Sequence, residues 1–185
     1  MHRYVALLRA VNVGGYGKLS MADLRALLEK LGYGRVETYI QSGNAVFDAK
    51  GSAAAVAKQV AEALEKKTGA SVGVLVRTHD ELARVIEANP FAAEAAADGA
   101  RVHVIFLFAT APKDATVHID RIVEQYPQRR DRYHLAGDTL YLHLPDGAAD
   151  TKFTGRPMDR ALGGVMATAR NWNTVLKLHA MSAPK

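Results

Sequence analysis

Val36-Glu37-Thr38-Tyr39-Ile40-Gln41-Ser42-Gly43-Asn44-Ala45-Val46-Phe47-Asp48 reads as two strands folded back on each other, Val36 to Gln41 and Asn44 to Asp48, joined through Ser42-Gly43-Asn44. β-Branched and aromatic residues flanking a glycine-asparagine turn are a hairpin signal. The flanking segments decide the topology. Tyr4 to Val11 is a short apolar run bounded by a glycine-bearing loop, Asn12 to Lys18, and reads as a buried strand. Ser20 and Asp23 open a helix whose stripe is Leu24, Leu27, Leu28 and Leu31, with Gly32 as its stop. After the hairpin, Ser52 opens a second helix carrying Val56, Val60 and Leu64, and Val72 to Val76 is a strand. Thr78 and Glu81 form a capping box for a helix with Leu82, Val85 and Ile86, which must end before Pro90.

The second half repeats this order. Beyond an Ala-rich segment at 91–100, a linker or a short extra helix, Val102 to Phe108 is a strand and Ala115 to Tyr126 a helix. Arg132 to Ala136 and Thr139 to Leu144 pair through Gly137-Asp138. An irregular stretch, Gly147 to Leu162, ends in a helix containing Met158 and Leu162. Val165 to Thr168 is the last strand, and Trp172 to Met181 the last helix. A shift of 94 residues carries Gly43 onto Gly137, Met21 to Leu31 onto Ala115 to Gln125, and Ser71 onto Val165. Several elements obeying one shift make the repeat structural. The chain is therefore expected to be α+β: two tandem ferredoxin-like βαββαβ (α/β-plait) subdomains, each followed by a helix. The expected division is 1–90, a linker at 91–100, and 101–185 with the terminal helix.

Composition bounds the function. Of 185 residues, 49% are hydrophobic and 23% charged, as in ordinary folded proteins. The formal charge of +5 favours anionic partners mildly. Arg129, Arg130 and Arg132 form the one basic block, a solvated face or a nucleic-acid patch. The absence of Cys excludes disulfides, thiolate catalysis and zinc-thiolate sites. With no secretion signal and no membrane-length apolar stretch, the expected setting is cytoplasmic, without a membrane partner.

In a βαββαβ unit the first two strands run parallel, because a helix crossover joins them. The loop Asn12 to Lys18 should then stand beside the hairpin turn. That gathers Arg9, Asn12, Lys18, Ser42 and Asn44 with the backbone amides of Gly14, Gly15 and Gly43. A second polar cluster, Thr168-Ala169-Arg170-Asn171-Trp172-Asn173-Thr174, holds the chain's only Trp and precedes the apolar stripe Val175, Leu176, Leu178 and Met181. It is expected where a strand hands over to a helix, at the positively polarised helix end. Arg170 fits bidentate anion binding, or a structural guanidinium on carbonyls. Asn171 or Asn173 fits a helix cap, Thr174 a phosphate donor or a first-turn bond, and Trp172 a core residue or a stacking surface. The expectation is one cleft shared by the two loops and the Arg170 helix start, binding a small anionic, phosphate- or nucleotide-like ligand. The glycine loop has neither the G-x-x-x-x-G-K-[ST] nor the G-x-G-x-x-G spacing, so a sharply turning connector competes with phosphate cradling.

Other chemistries lack their signatures. The His residues show no metal-ligand spacing, Ser42 and Ser20 lack a nucleophile-elbow context, and paired carboxylates are missing from the polar motifs. No cofactor and no reaction can be assigned. Pairing through Gly137-Asp138 places Arg132, His134, Thr139, Tyr141 and His143 on one face, and Tyr133, Leu135, Leu140 and Leu142 on the core-facing other. The polar-aromatic face makes a nucleic-acid-binding module the alternative function, although the aromatic-rich RNA-binding signature is absent. A purely structural role for the motifs is the third reading. The first hairpin divides less cleanly, with Ile40 and Phe47 on one face and Tyr39 and Val46 on the other.

Leu8-Arg9-Ala10-Val11-Asn12-Val13-Gly14-Gly15, Tyr39-Ile40-Gln41-Ser42-Gly43-Asn44 and the closing Thr168 to Thr174 motif together resemble a widespread bacterial domain-of-unknown-function family. The resemblance covers essentially the whole chain. It implies a pair of ferredoxin-like subdomains and no known reaction. It also implies a site lysine at Lys152, preceded by Thr151 where the family usually has Ser.

Overall fold

Local signals place the elements. In the computed structural model, which describes residues 1–9, 11, 19–149 and 151–184, the first half holds β1 (His2–Leu8), α1 (Met21–Lys30), β2 (Gly34–Tyr39), β3 (Asn44–Ala49), α2 (Ala53–Thr68), β4 (Val74–Thr78) and α3 (His79–Glu87). A short α4 (Ala92–Ala97) follows, occupying the Ala-rich segment. Then come β5 (Val102–Leu107), α5 (Ala115–Glu124), β6 (Arg132–Ala136), β7 (Thr139–His143), α6 (Gly155–Ala161), β8 (Ala167–Asn171) and α7 (Trp172–Met181). The Ser20 hydroxyl accepts from the Asp23 N–H at 3.0 Å, and Ser52 caps α2 in the same way. At the start of α3 the capping box is complete. The Glu81 carboxylate accepts from the Thr78 N–H at 2.7 Å, and the Thr78 hydroxyl accepts from the Glu81 N–H at 3.2 Å.

The strands form two sheets, β2-β3-β1-β4 and β6-β7-β5-β8, antiparallel at every pairing. These are two tandem α/β-plait units. By contacts the chain divides into Met1–Glu87 with Leu176–Lys185, and Ala88–Val175, so the boundary falls inside α7. In the first unit, α1 and α2 cover one sheet face through Leu24, Leu28, Val56, Val60 and Leu64, packed on Tyr4, Ala6, Leu8, Ala45 and Phe47. Val5, Leu7 and Val46, on the other face, are wholly buried too. In the second unit Ile119, Ile122 and Met158 pack on Ile105, Leu107, Leu140 and Leu142. Among the described residues no helix is long and apolar enough to cross a membrane.

Two local expectations are corrected. β2 ends at Tyr39, which pairs with Asn44, so the turn is Ile40-Gln41-Ser42-Gly43 rather than Ser42-Gly43-Asn44. Ile40 (φ 50°) leaves the strand alternation there, and the register also shifts between Gly34 and Glu37, where Arg35 has φ 44°. This is why the first hairpin does not split into two clean faces. The last strand runs on through Arg170 to Asn171, because β5 continues to pair with it: Val104 opposes Arg170 and His103 opposes Asn171. Arg170 therefore belongs to a sheet, not to a helix opening.

Candidate functional site

In the first unit the candidate residues that the structure describes lie at one end of the sheet. Where β1 ends, the Leu8 N–H donates to the Gly43 carbonyl at 2.9 Å and the Arg9 N–H to the Gly73 carbonyl at 2.8 Å. Gly43 has φ 73°, and a Cβ there would collide with the Val11 side chain and lie 2.8 Å from the Leu8 Cβ. Only glycine lets the turn seat itself against the strand end. Asn44 is wholly buried, and its Nδ2 donates to the Tyr39 carbonyl (3.0 Å) and the Ser42 hydroxyl (2.9 Å). Asn44 is thus a staple across the turn. Arg9, Gln41 and Ser42 are exposed at this end of the sheet. Their side chains are a cation, an amide and a hydroxyl, the last already accepting from Asn44. Asn12, Gly14, Gly15 and Lys18 lie outside the described residues, while Val11 and Leu19 on either side of them are core residues.

The C-terminal motif is arranged differently. Arg170 is only 6% exposed, and its Nη1 donates to the Thr168 hydroxyl (2.8 Å) and the Ala169 carbonyl (2.7 Å). Burial lowers its pKa to about 10, so the guanidinium keeps its charge at neutral pH. The Asn171 Oδ1 accepts from the Thr174 N–H at 2.9 Å, so Asn171 is the residue that caps α7. Asn173 is exposed, with its side-chain oxygen where a Cβ on Gly99 would stand. Trp172 and Thr174 are buried. These bonds and burials are those of a framework.

Lys152 is exposed, with its Nζ 5.2 Å from the centre of the Tyr126 ring. Its neighbour Thr151 is buried and donates to Asp131 at 2.9 Å, and the Arg129 guanidinium donates to the same carboxylate at 3.1 Å. The face proposed for nucleic acid is buried at Thr139 and Tyr141 and open only at Arg132 and His134. Tyr141, its central aromatic, is 1% exposed, with its hydroxyl pushed up to about 12 chiefly by burial. The basic block is neutralised locally: Arg129 pairs with Asp131, Arg130 with Asp146 at 2.5 Å, and Arg132 with Glu94 while lying over the Phe91 ring. The Tyr141 ring is not open to a base, which leaves His134 as the exposed ring of that face, and the cations are already matched by carboxylates.

The sequence reading missed a charged cluster in the first unit. The buried Arg3 side chain donates to Asp48 (3.1 Å) and Glu37 (2.5 Å), and Asp48 also accepts from Arg35 at 2.5 Å. Arg35, and then Arg3, hold the Asp48 carboxyl below its ordinary range against the opposing effect of burial. Charges at the facing positions Arg3 and Asp48, beside the apolar runs Tyr4 to Leu8 and Ala45 to Phe47, were the available signal. A groove of about 640 Å³ lies elsewhere, on α1 and α2, bordered by Leu27, Leu31, Ala63, Lys30 and Lys66. None of the candidate residues lines it. Among the described residues no three His, Asp or Glu come together as metal ligands would.

Residues 1–141 match the family described as Protein of unknown function (DUF1697), and the chain belongs to that family. No curated protein matches it. Among solved structures it is similar to the conserved bacterial protein SP0830 from Streptococcus pneumoniae, at 26% identity and a TM-score of 0.66, with 98% of each chain covered.

Proposed function

We propose that this member of the DUF1697 family binds a small anionic, phosphate- or nucleotide-like ligand at the end of the first unit's sheet. The observation that carries the reading is the lock between Leu8 and Gly43. It fixes the β1 exit against the hairpin turn, and on that fixed base Arg9, Gln41 and Ser42 reach solvent. A pre-organised set of donors binds an anion without first spending free energy on ordering. In this reading Arg9 supplies charge, and Gln41 and Ser42 supply hydrogen bonds. The segment holding Asn12, Gly14, Gly15 and Lys18, which the chain attaches to the same strand end, adds backbone amides and a second cation. Thr168 to Thr174 serve as the frame of the second unit. The reading assigns no reaction.

A thermal-shift series with inorganic phosphate, AMP and ATP tests it. The expected result is a saturable rise in Tm for at least one of them, since a ligand at ~100 times its Kd stabilises by about 2.7 kcal/mol. Arg9→Ala should abolish the rise, each Tm being read against that variant's own ligand-free value. No rise with any of these compounds, or an undiminished rise in Arg9→Ala, would refute the proposal. Stabilisation by single-stranded RNA alone would favour the nucleic-acid reading instead.

A further inference from the structure

Two imidazoles a hundred residues apart in sequence lie face to face in the first unit. The rings of His79, which opens α3, and His179, in the last turn of α7, have centroids 4.0 Å apart and planes within 13°. Ser182, wholly buried, closes the group. Its hydroxyl donates to the His179 carbonyl at 2.8 Å, and His79 Nδ1 stands 3.1 Å from that hydroxyl and 3.2 Å from that carbonyl. With the hydroxyl proton already directed at the carbonyl, the network assigns a hydrogen to His79 Nδ1. We propose that the His79–His179 stack, closed by Ser182, is an acid-sensitive latch that holds the C-terminal stretch on the first unit and opens when both rings are protonated.

The geometry makes the second proton the costly one. The carbonyl end of α7 favours a cation in its last turn, so one imidazolium is tolerated. A second at 4.0 Å meets direct repulsion. His179 Nε2 is buried without a partner, so a proton gained there has no acceptor.

No described ion pair with the elements packed around the pair relieves this. On β1, Arg3 brings a further cation, its Nε donating to the Met181 carbonyl at 3.0 Å, and its carboxylate partner Asp48 is already shared with Arg35. On β4 the nearest charge in sequence is Arg77. On α3, Glu81 is engaged by the Thr78 N–H and hydroxyl, and Asp80 is exposed; on α7, Lys177 is exposed. No described ion pair joins a carboxylate to either ring, whereas His118, elsewhere, does pair with Asp114.

Burial, and then the neighbouring His79, lower the His179 pKa from 6.5. A histidine whose folded pKa is depressed binds its proton more readily once released. The stabilisation is therefore whole above the released value and is lost as pH falls through it.

Hydrogen exchange of the full chain at about pH 7.5 and about pH 5.5, corrected for intrinsic rates, tests the latch. Amides of 176–182 should lose protection relative to those of β1 and β3 by roughly fivefold or more, the factor that two unit charges about 4 Å apart give even at the dielectric of water. His79→Phe, which keeps a flat ring in the stack but cannot charge, should flatten that response. A loss of protection spread evenly over the unit, or an undiminished response in His79→Phe, would overturn the proposal. If His79→Phe does not fold, the wild-type comparison still decides, because no selective loss at acid pH means no latch.

Discussion

The two units turn from their last strand into a helix in the same way. In the first, Arg77 is the second-last residue of β4, Thr78 the last, and His79 opens α3; in the second, Arg170, Asn171 and Trp172 take the same places at β8 and α7. Arg77 opposes Val5 and Arg170 opposes Val104, each on the sheet face away from α1 and α2 or α5 and α6. Thr78 accepts from the N–H three residues on, and so does Asn171. The hairpin turns differ. The first unit uses four residues with a β-branched side chain in a left-handed conformation and a buried Asn staple; the second uses Gly137-Asp138 alone. What recurs in both units is framework, and what one unit elaborates is the better candidate for function. On this logic the Arg170 motif reads as architecture, and the Ile40 to Asn44 turn is the part that the proposed function needs.

The glycines at the two turns separate the hairpins most sharply. Gly43→Ala should cost about 3–4 kcal/mol, since it combines a left-handed conformation with a Cβ driven into Leu8 and Val11. Gly137→Ala has the same backbone cost but open space around it, so about 1 kcal/mol is expected. Urea midpoints with unchanged slopes measure both, and equal losses would mean that the Gly43 contact is not tight. At the handovers, Arg170→Ala should cost about 3 kcal/mol, by removing the donor to the buried Thr168 hydroxyl and leaving a stem-sized void. Arg77→Ala, at a half-buried position, should cost about 1 kcal/mol. An Arg170→Ala chain as stable as wild type would return that residue to the binding candidates. The caps are expected to match: Thr78→Ala and Asn171→Ala should each lose about 1 kcal/mol.

The fold could be read from sequence because its signals are local. Hydrophobic period, capping residues and paired turn glycines each act within a few positions, and the 94-residue shift ties α1 to α5 and the two hairpins together. The Leu8 to Gly43 bond sets the end of β1 beside the hairpin turn, while the loop Asn12 to Lys18, which topology places there, lies outside the described residues. Arg170 was harder. Its type suits an anion, and nothing nearby in sequence indicates that β5 extends the last strand by pairing across it. Tyr141 raised the same difficulty: alternation puts it opposite the helices, but burial of that second face is a property of tertiary packing. His79 and Ser182 meet only through chain reversal over 103 residues, so no window of sequence contains them both.

Ile40 carries the smallest expected effect and the most pointed test of the contrast between the hairpins. It is 51% exposed, so its side chain gains little from burial, yet it holds φ 50°, where a β-branched residue is strained. Relieving that strain with Ile40→Gly should gain about 1 kcal/mol, offset by the extra freedom of glycine in the unfolded chain, for a net gain of a few tenths. The urea midpoint should therefore rise slightly or stay level. If the turn is merely a connector, nothing else should change. If the strained turn poises Gln41 and Ser42 for an anion, the more stable variant should bind phosphate compounds more weakly, because the ordering cost moves to the binding step. Improved stability with undiminished binding would show that Ile40 serves neither purpose, and would leave the difference between the two turns without functional meaning.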